Sequence, residues 1–99
     1  MDATIAVRID KKRLDELKAI SSEESRKKSE TLREVLDLGI REKKLSIALQ
    51  KYKRGEVSTG KAAYIAGISL SRFLDVLRER GIPFNYSVRD LMKDFEEFL

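Results

Sequence analysis

The sequence predicts a mainly α-helical fold with one N-terminal β-strand, and three observations lead there. Thr4-Ile5-Ala6-Val7-Arg8-Ile9 places Ile5, Val7 and Ile9 on one face and Thr4, Ala6 and Arg8 on the other, the two-residue period of a strand. From Asp10 onward apolar residues recur at spacings of three and four, the period of helices. Serines and glycines punctuate those runs where helices need caps and stops. The strand has no evident partner nearby in the chain, yet each of its N–H and C=O groups needs one. The expected solution is the same strand from a second copy, antiparallel across a two-fold axis. The chain is therefore expected to be a homodimer, with Ile5, Val7 and Ile9 at the dimer core. Thr4, Ala6 and Arg8 would face outward on a two-stranded ribbon, which fits the major groove of DNA.

The helices follow in order. Asp10 is a good N-cap, and Leu14, Leu17 and Ile20 give a first helix a narrow apolar stripe. Ser21 to Lys28 is wholly polar and reads as the helix end plus a loop. Ser29 is expected to cap a second helix with Leu32, Val35, Leu36 and Ile40 on one face and Gly39 inside it. A break is expected near Lys44, with Ser46 opening a new helix through Leu49 and Tyr52 to Gly55. Ser58 starts a further helix with Ala62, Ala63, Ile65 and Ala66, and Gly67-Ile68-Ser69 is a short turn. Phe73, Leu74, Val76 and Leu77 are the buried side of the next helix, which Gly81 and Pro83 end. Ile82, Phe84 and Tyr86 alternate in a short extended piece. Ser87-Val88-Arg89-Asp90 resembles a capping box before a last helix. Two regions result, 1–44 for dimerisation and DNA binding and 45–99 for a small helix-turn-helix-like region.

Composition removes many function classes. The 99 residues contain neither Cys nor His, so thiolate and imidazole metal ligands, Cys nucleophiles and the commonest general base are missing. No enzymatic activity, metal, cofactor or small-molecule substrate is expected. No stretch approaches the ~20 apolar residues of a membrane span, so a cytoplasmic location without a membrane partner is expected. Net charge is +4, and its distribution is uneven. Residues 45–80 hold 7 basic and 3 acidic side chains whereas residues 81–99 hold 2 and 4, so the tail faces something other than nucleic acid.

Basic charge at helix starts is the first functional signal. Arg26, Lys27 and Lys28 precede the second helix, whose N-terminal amides favour an anion. Lys11, Lys12 and Arg13 sit in the first turn of helix one, where cations oppose the helix dipole. Residues 3 to about 44, with their alternating strand, Asp10, Leu14 and Leu17, basic loop, Ser29 and then Leu32, Val35 and Leu36, resemble the ribbon-helix-helix family of dimeric transcription factors that includes CopG, Arc and MetJ. That resemblance implies base contacts from Thr4, Ala6 and Arg8 and a phosphate clamp at Lys28, Ser29 and the amide of Glu30.

A second signal lies between Ser58 and Phe73. Ala63, Gly67 and Phe73 fall where a helix-turn-helix needs a small residue at the crossing, a turn glycine and an apolar anchor. Ser69, Ser71 and Arg72 would then lie near the exposed side of its second helix as a possible second DNA-binding site, with Lys61 reaching phosphate. Asp75 on that face would repel the backbone, which leaves a purely structural hairpin nearly level with the reader. Tyr52-Lys-Arg-Gly-Glu-Val-Ser-Thr-Gly-Lys through Phe73-Leu, then Arg80-Gly-Ile-Pro-Phe-Asn-Tyr, resembles a family of small uncharacterised prokaryotic proteins often regarded as antitoxins. These are similar in arrangement to VapB-type antitoxins, whose toxins are PIN-domain ribonucleases. The resemblance implies a DNA-binding N-terminal half and a toxin-binding C-terminal half. Leu91, Met92, Phe95, Phe98 and Leu99 form an apolar face on an acidic helix, suited to a partner's groove.

The expected function is thus a DNA-binding antitoxin that neutralises a PIN-domain ribonuclease and represses its own operon by occupying operator DNA. The competing expectation is a stand-alone dimeric regulator with two DNA-reading units.

Overall fold

The computed structural model describes residues 1–84 together with Val88, Arg89, Met92, Phe95 and Glu96. Four helices lie complete within the described residues: α1 (Lys11–Glu23), α2 (Lys28–Lys53), α3 (Thr59–Ala66) and α4 (Leu70–Glu79). No strand is present among the described residues, which corrects the expected ribbon pair. Residues 1–10 are irregular and exposed throughout, with Ile5 at 84% and Val7 at 73%. Period-2 alternation marks which side chains a strand would sort, but it supplies no ladder, and here the backbone of this segment has no neighbouring strand to pair with.

Two compact units divide the chain, Met1–Leu38 and Gly39–Leu99. In the first, Asp10 caps α1 as expected: its carboxylate accepts from the Arg13 amide at 3.0 Å and from the Arg13 guanidinium at 2.9 Å. Ser25, at φ +53°, reverses the chain after α1, and the Arg26 amide donates back to the Ser21 carbonyl at 2.9 Å. Arg26 then reaches along α2 to Glu34 and approaches Glu30 at 3.6 Å. The hydrogen bond to Glu34 holds the Arg26 guanidinium above its ordinary pKa.

α2 is longer than its sequence suggests. The expected break near Lys44 is absent because no Gly or Pro interrupts residues 40–54 and Leu45, Ala48, Leu49 and Tyr52 keep the helical period. Ser46 is therefore a mid-helix residue and not a cap. The helix also begins at Lys28, so Ser29 lies inside its first turn.

The core of the second unit is Ala48, Leu49, Ala62, Ala63, Ala66, Phe73, Val76 and Leu77, with Tyr52, Ile68, Ile82 and Phe84 half-buried against it. Alanines on the inner face of α3 admit close approach, and Phe73 fills the space with its ring edge-on to Tyr52 at 5.8 Å and 81°. The α3–α4 turn follows from local chemistry. Ser58 accepts from the Lys61 amide and Ser69 from the Arg72 amide, each at 3.1 Å. Gly67, at φ +73°, ends α3, and the Ile68 amide donates to the Ala63 carbonyl at 3.1 Å. Ser69→Ala is expected to destabilise this unit by about 1 kcal/mol through the lost cap. A Cβ at Gly67 would meet nothing within 4 Å. Gly67→Ala is therefore expected to cost about 1–2 kcal/mol from the left-handed backbone alone. Thermal melts of both variants check these values.

Candidate functional site

α3, the turn and α4 form a helix-turn-helix whose inner face is core and whose outer face is polar. The first turn of α4 exposes Ser71 and Arg72, the positions from which a second helix of this kind reaches base edges. The Ser69 hydroxyl is held by the cap, so Ser71 is the serine presented outward. Arg72 donates across the exposed side to Glu79 at 3.2 Å. Arg78 donates to Asp75 at 2.8 Å and its guanidinium lies 5.7 Å from the centre of the Phe84 ring. Asp75, which the sequence sets against a phosphate backbone, thus has its charge compensated on its own helix. Exposed pairs of this kind add little to the stability of the fold.

On α3, Lys61 is exposed with its ammonium 4.9 Å from the centre of the Tyr64 ring, and Tyr64 is itself 65% exposed. Sequence reasoning misses Tyr64 because the run Ala62-Ala63-Tyr64-Ile65-Ala66 reads as continuously apolar. Only the placement of the alanines inward shows that the ring is outside. Lys61, Ser71 and Arg72 are all available to solvent on this one hairpin.

The other sequence-derived positions fall elsewhere. Thr4, Ala6 and Arg8 are exposed on the irregular segment, and without a ribbon the base contacts assigned to them have no frame. Ile5, Val7 and Ile9 form no strand pair, which corrects the dimer core assigned to them; Ile9 instead lines a groove between α1 and α2. Lys28 and Ser29 are exposed in the first turn of α2, and Glu30 approaches the Arg26 guanidinium at 3.6 Å, so Arg26 is already compensated. Met92 and Phe95 are helical and exposed at 62% and 64%. Leu91, Phe98, Leu99, Tyr86, Ser87 and Asp90 lie outside the described residues. Among the described residues no cluster of Asp and Glu is placed to hold a metal ion, and no helix is long and apolar enough to cross a membrane.

The class these features define is a helical protein with a capped helix-turn-helix. Residues 30–98 match the model of the uncharacterised protein family UPF0175, and the chain belongs to that family. It is 47% identical over 55 residues to a UPF0175 protein of Archaeoglobus fulgidus, which covers 56% of this chain and 63% of that one. It is 45% identical over 53 residues to a UPF0175 protein of Aeropyrum pernix, covering 54% of this chain and 60% of the relative. A UPF0175 protein of Halobacterium salinarum is 49% identical over 41 residues, 41% of this chain and 42% of its own length. The chain thus spans about three-fifths or less of the length of these relatives. No solved structure matches.

Proposed function

We propose that this chain is a DNA-binding antitoxin whose α3–α4 hairpin contacts operator DNA and whose C-terminal segment captures a PIN-domain ribonuclease. The observation that carries the DNA part is the first turn of α4: Ser71 and Arg72 are exposed on a helix fixed by the Ser69 cap, the Gly67 turn and buried Phe73. A contact geometry held on packed helices loses little entropy on binding. Lys61 supplies a phosphate contact from the neighbouring helix, and the base excess of residues 45–80 supplies the wider attraction.

The capture part is supported by Val88, Met92 and Phe95, exposed at 75%, 62% and 64% and spaced by four and three residues along an acidic stretch. Apolar anchors at that spacing suit a groove in a partner. The mechanism is occupancy: the bound segment covers the nuclease, and the bound hairpin covers the operator.

The test is purification of tagged chain from its native host at native expression, followed by a high-salt wash that strips DNA and leaves apolar contacts. A stoichiometric PIN-like ribonuclease is the expected partner. Phe95→Asp is expected to weaken its capture by about 2 kcal/mol or more, as for a central interface anchor, and to leave DNA affinity unchanged. A stand-alone regulator is the second reading, favoured by the fact that the hairpin's core is complete within one chain. It predicts full DNA binding and no ribonuclease at any salt concentration.

A further inference from the structure

The outward face of α4 carries a carboxylate at its centre. On the helical period Asp75 falls about 40° from Ser71 and about 60° from Arg72, between the two and on the side away from buried Phe73, Val76 and Leu77. Its side chain is 49% exposed, so half of it is open to a ligand. Local structure does not call for an acid here, since Ser69 caps α4 and apolar side chains fill the core side. The exposed pair with Arg78 adds little to the fold, and a bare carboxylate on this face would repel phosphate.

Arg78 changes what Asp75 can do. Its Nη1 donates to Asp75 Oδ1 at 2.8 Å, and its guanidinium also lies 5.7 Å from the centre of the Phe84 ring. The pair is neutral, which lowers the cost of bringing the carboxylate against DNA. An ionised carboxylate has about four lone-pair sites, so one donor leaves room for a second. Arg72 precedes Asp75 by three residues, about 4.5 Å along the helix axis and little more than the ~3.4 Å between successive bases. The two side chains therefore reach neighbouring base pairs from one helix face.

The base edges then decide between ligands. In the major groove guanine and thymine present acceptors, adenine presents the N7 acceptor beside its N6 amino donor, and cytosine presents the N4 amino donor alone. A carboxylate accepts and does not donate, so cytosine is the base that leaves no acceptor facing it. We propose that Asp75, held by Arg78, accepts from the N4 amino group of a cytosine neighbouring the base pair that Arg72 contacts. Asp75 is then a second specificity-determining residue of α4, and the assignment rests on the reading of α4 as the DNA-contacting helix.

The test is selection of binding sites from a pool of randomised duplexes by the full-length chain and by its Arg72→Ala, Asp75→Ala and Asp75→Asn variants, followed by sequencing of what each retains. Asp75→Ala is expected to lower the preference for cytosine at one position by about tenfold and to leave the position read by Arg72 unchanged. Asp75→Asn is expected to move the preference at that same position from cytosine to adenine, because an amide both donates and accepts. A helix merely loosened by loss of the Arg78 pair would relax all positions together, so a change confined to one position marks a base contact. If Arg72→Ala relaxes its own position while neither Asp75 variant alters any, the cytosine contact is overturned and DNA reading by α4 stands. Equal tightening of every duplex by Asp75→Ala also overturns it, since the carboxylate then only repels DNA. A full-length chain without any sequence preference overturns the contact together with the reading it rests on.

Discussion

Phe73→Ala is expected to destabilise the second unit by about 3–5 kcal/mol, a large fraction of the stability of a small domain. The ring is 0% exposed and lies edge-on to Tyr52, which ties α4 to α2, while the alanines of α3 offer only methyl groups around it. Those methyl groups are too short to collapse into the space the ring leaves, so a cavity term adds to the lost burial. The neighbouring Leu74 is half-buried at the edge of the core, and Leu74→Ala is expected to cost clearly less. Urea unfolding of the two variants followed by circular dichroism gives the comparison. Equal costs would mean that Phe73 is not the anchor of α4. DNA affinity is expected to fall with Phe73→Ala at temperatures where the variant unfolds and to return on cooling, because the residue positions Ser71 and Arg72 without touching DNA.

Arg72→Ala is expected to weaken binding to cognate DNA by about 1–3 kcal/mol and to narrow the gap between cognate and unrelated duplexes, the signature of a base contact. Arg72 sits in the first turn of α4 and is paired with Glu79 at 3.2 Å, both side chains being more than half exposed. An exposed pair of this kind exchanges readily for a better acceptor. Glu79→Gln removes the competing carboxylate, so its effect has the opposite sign: tighter binding to all duplexes, with the largest gain at low salt, where the carboxylate repels most. Lys61→Ala separates the two kinds of contact. It is expected to weaken cognate and unrelated DNA equally and to reduce the salt slope by about one. Fluorescence anisotropy with labelled duplexes reads all three variants.

The helices were legible where side-chain chemistry is local. Asp10 and Ser58 each cap the helix expected from them, and Gly67 and Gly81 take the left-handed conformation that ends a helix. The core of the second unit was legible too, since Ala62, Ala63, Phe73, Val76 and Leu77 recur at helical spacing ahead of any knowledge of contacts. The strand was not. Alternation from Thr4 to Ile9 reports a sorting of side chains, whereas a strand exists only through hydrogen bonds to another segment, which sequence spacing does not contain. The break expected near Lys44 failed for a related reason: Ser46 has the chemistry of a cap, but a cap forms only where the backbone before it leaves the helix. The outward position of Tyr64 was hidden by its apolar neighbours. Ion pairs such as Arg78 with Asp75 could be anticipated from their three-residue spacing, and they change how the charge on α4 is read.

The central claim is that the exposed first turn of α4 reads DNA. Its most direct test is an anisotropy titration of the full-length chain and of Arg72→Ala against the duplex upstream of its own coding sequence and a scrambled duplex of equal length. Both are measured at the same salt concentration. The expected result is cognate binding at least about a thousandfold tighter than scrambled binding, with Arg72→Ala losing a substantial part of that ratio. Equal affinity of the unmodified chain for the two duplexes, or a ratio that Arg72→Ala leaves untouched, would contradict it.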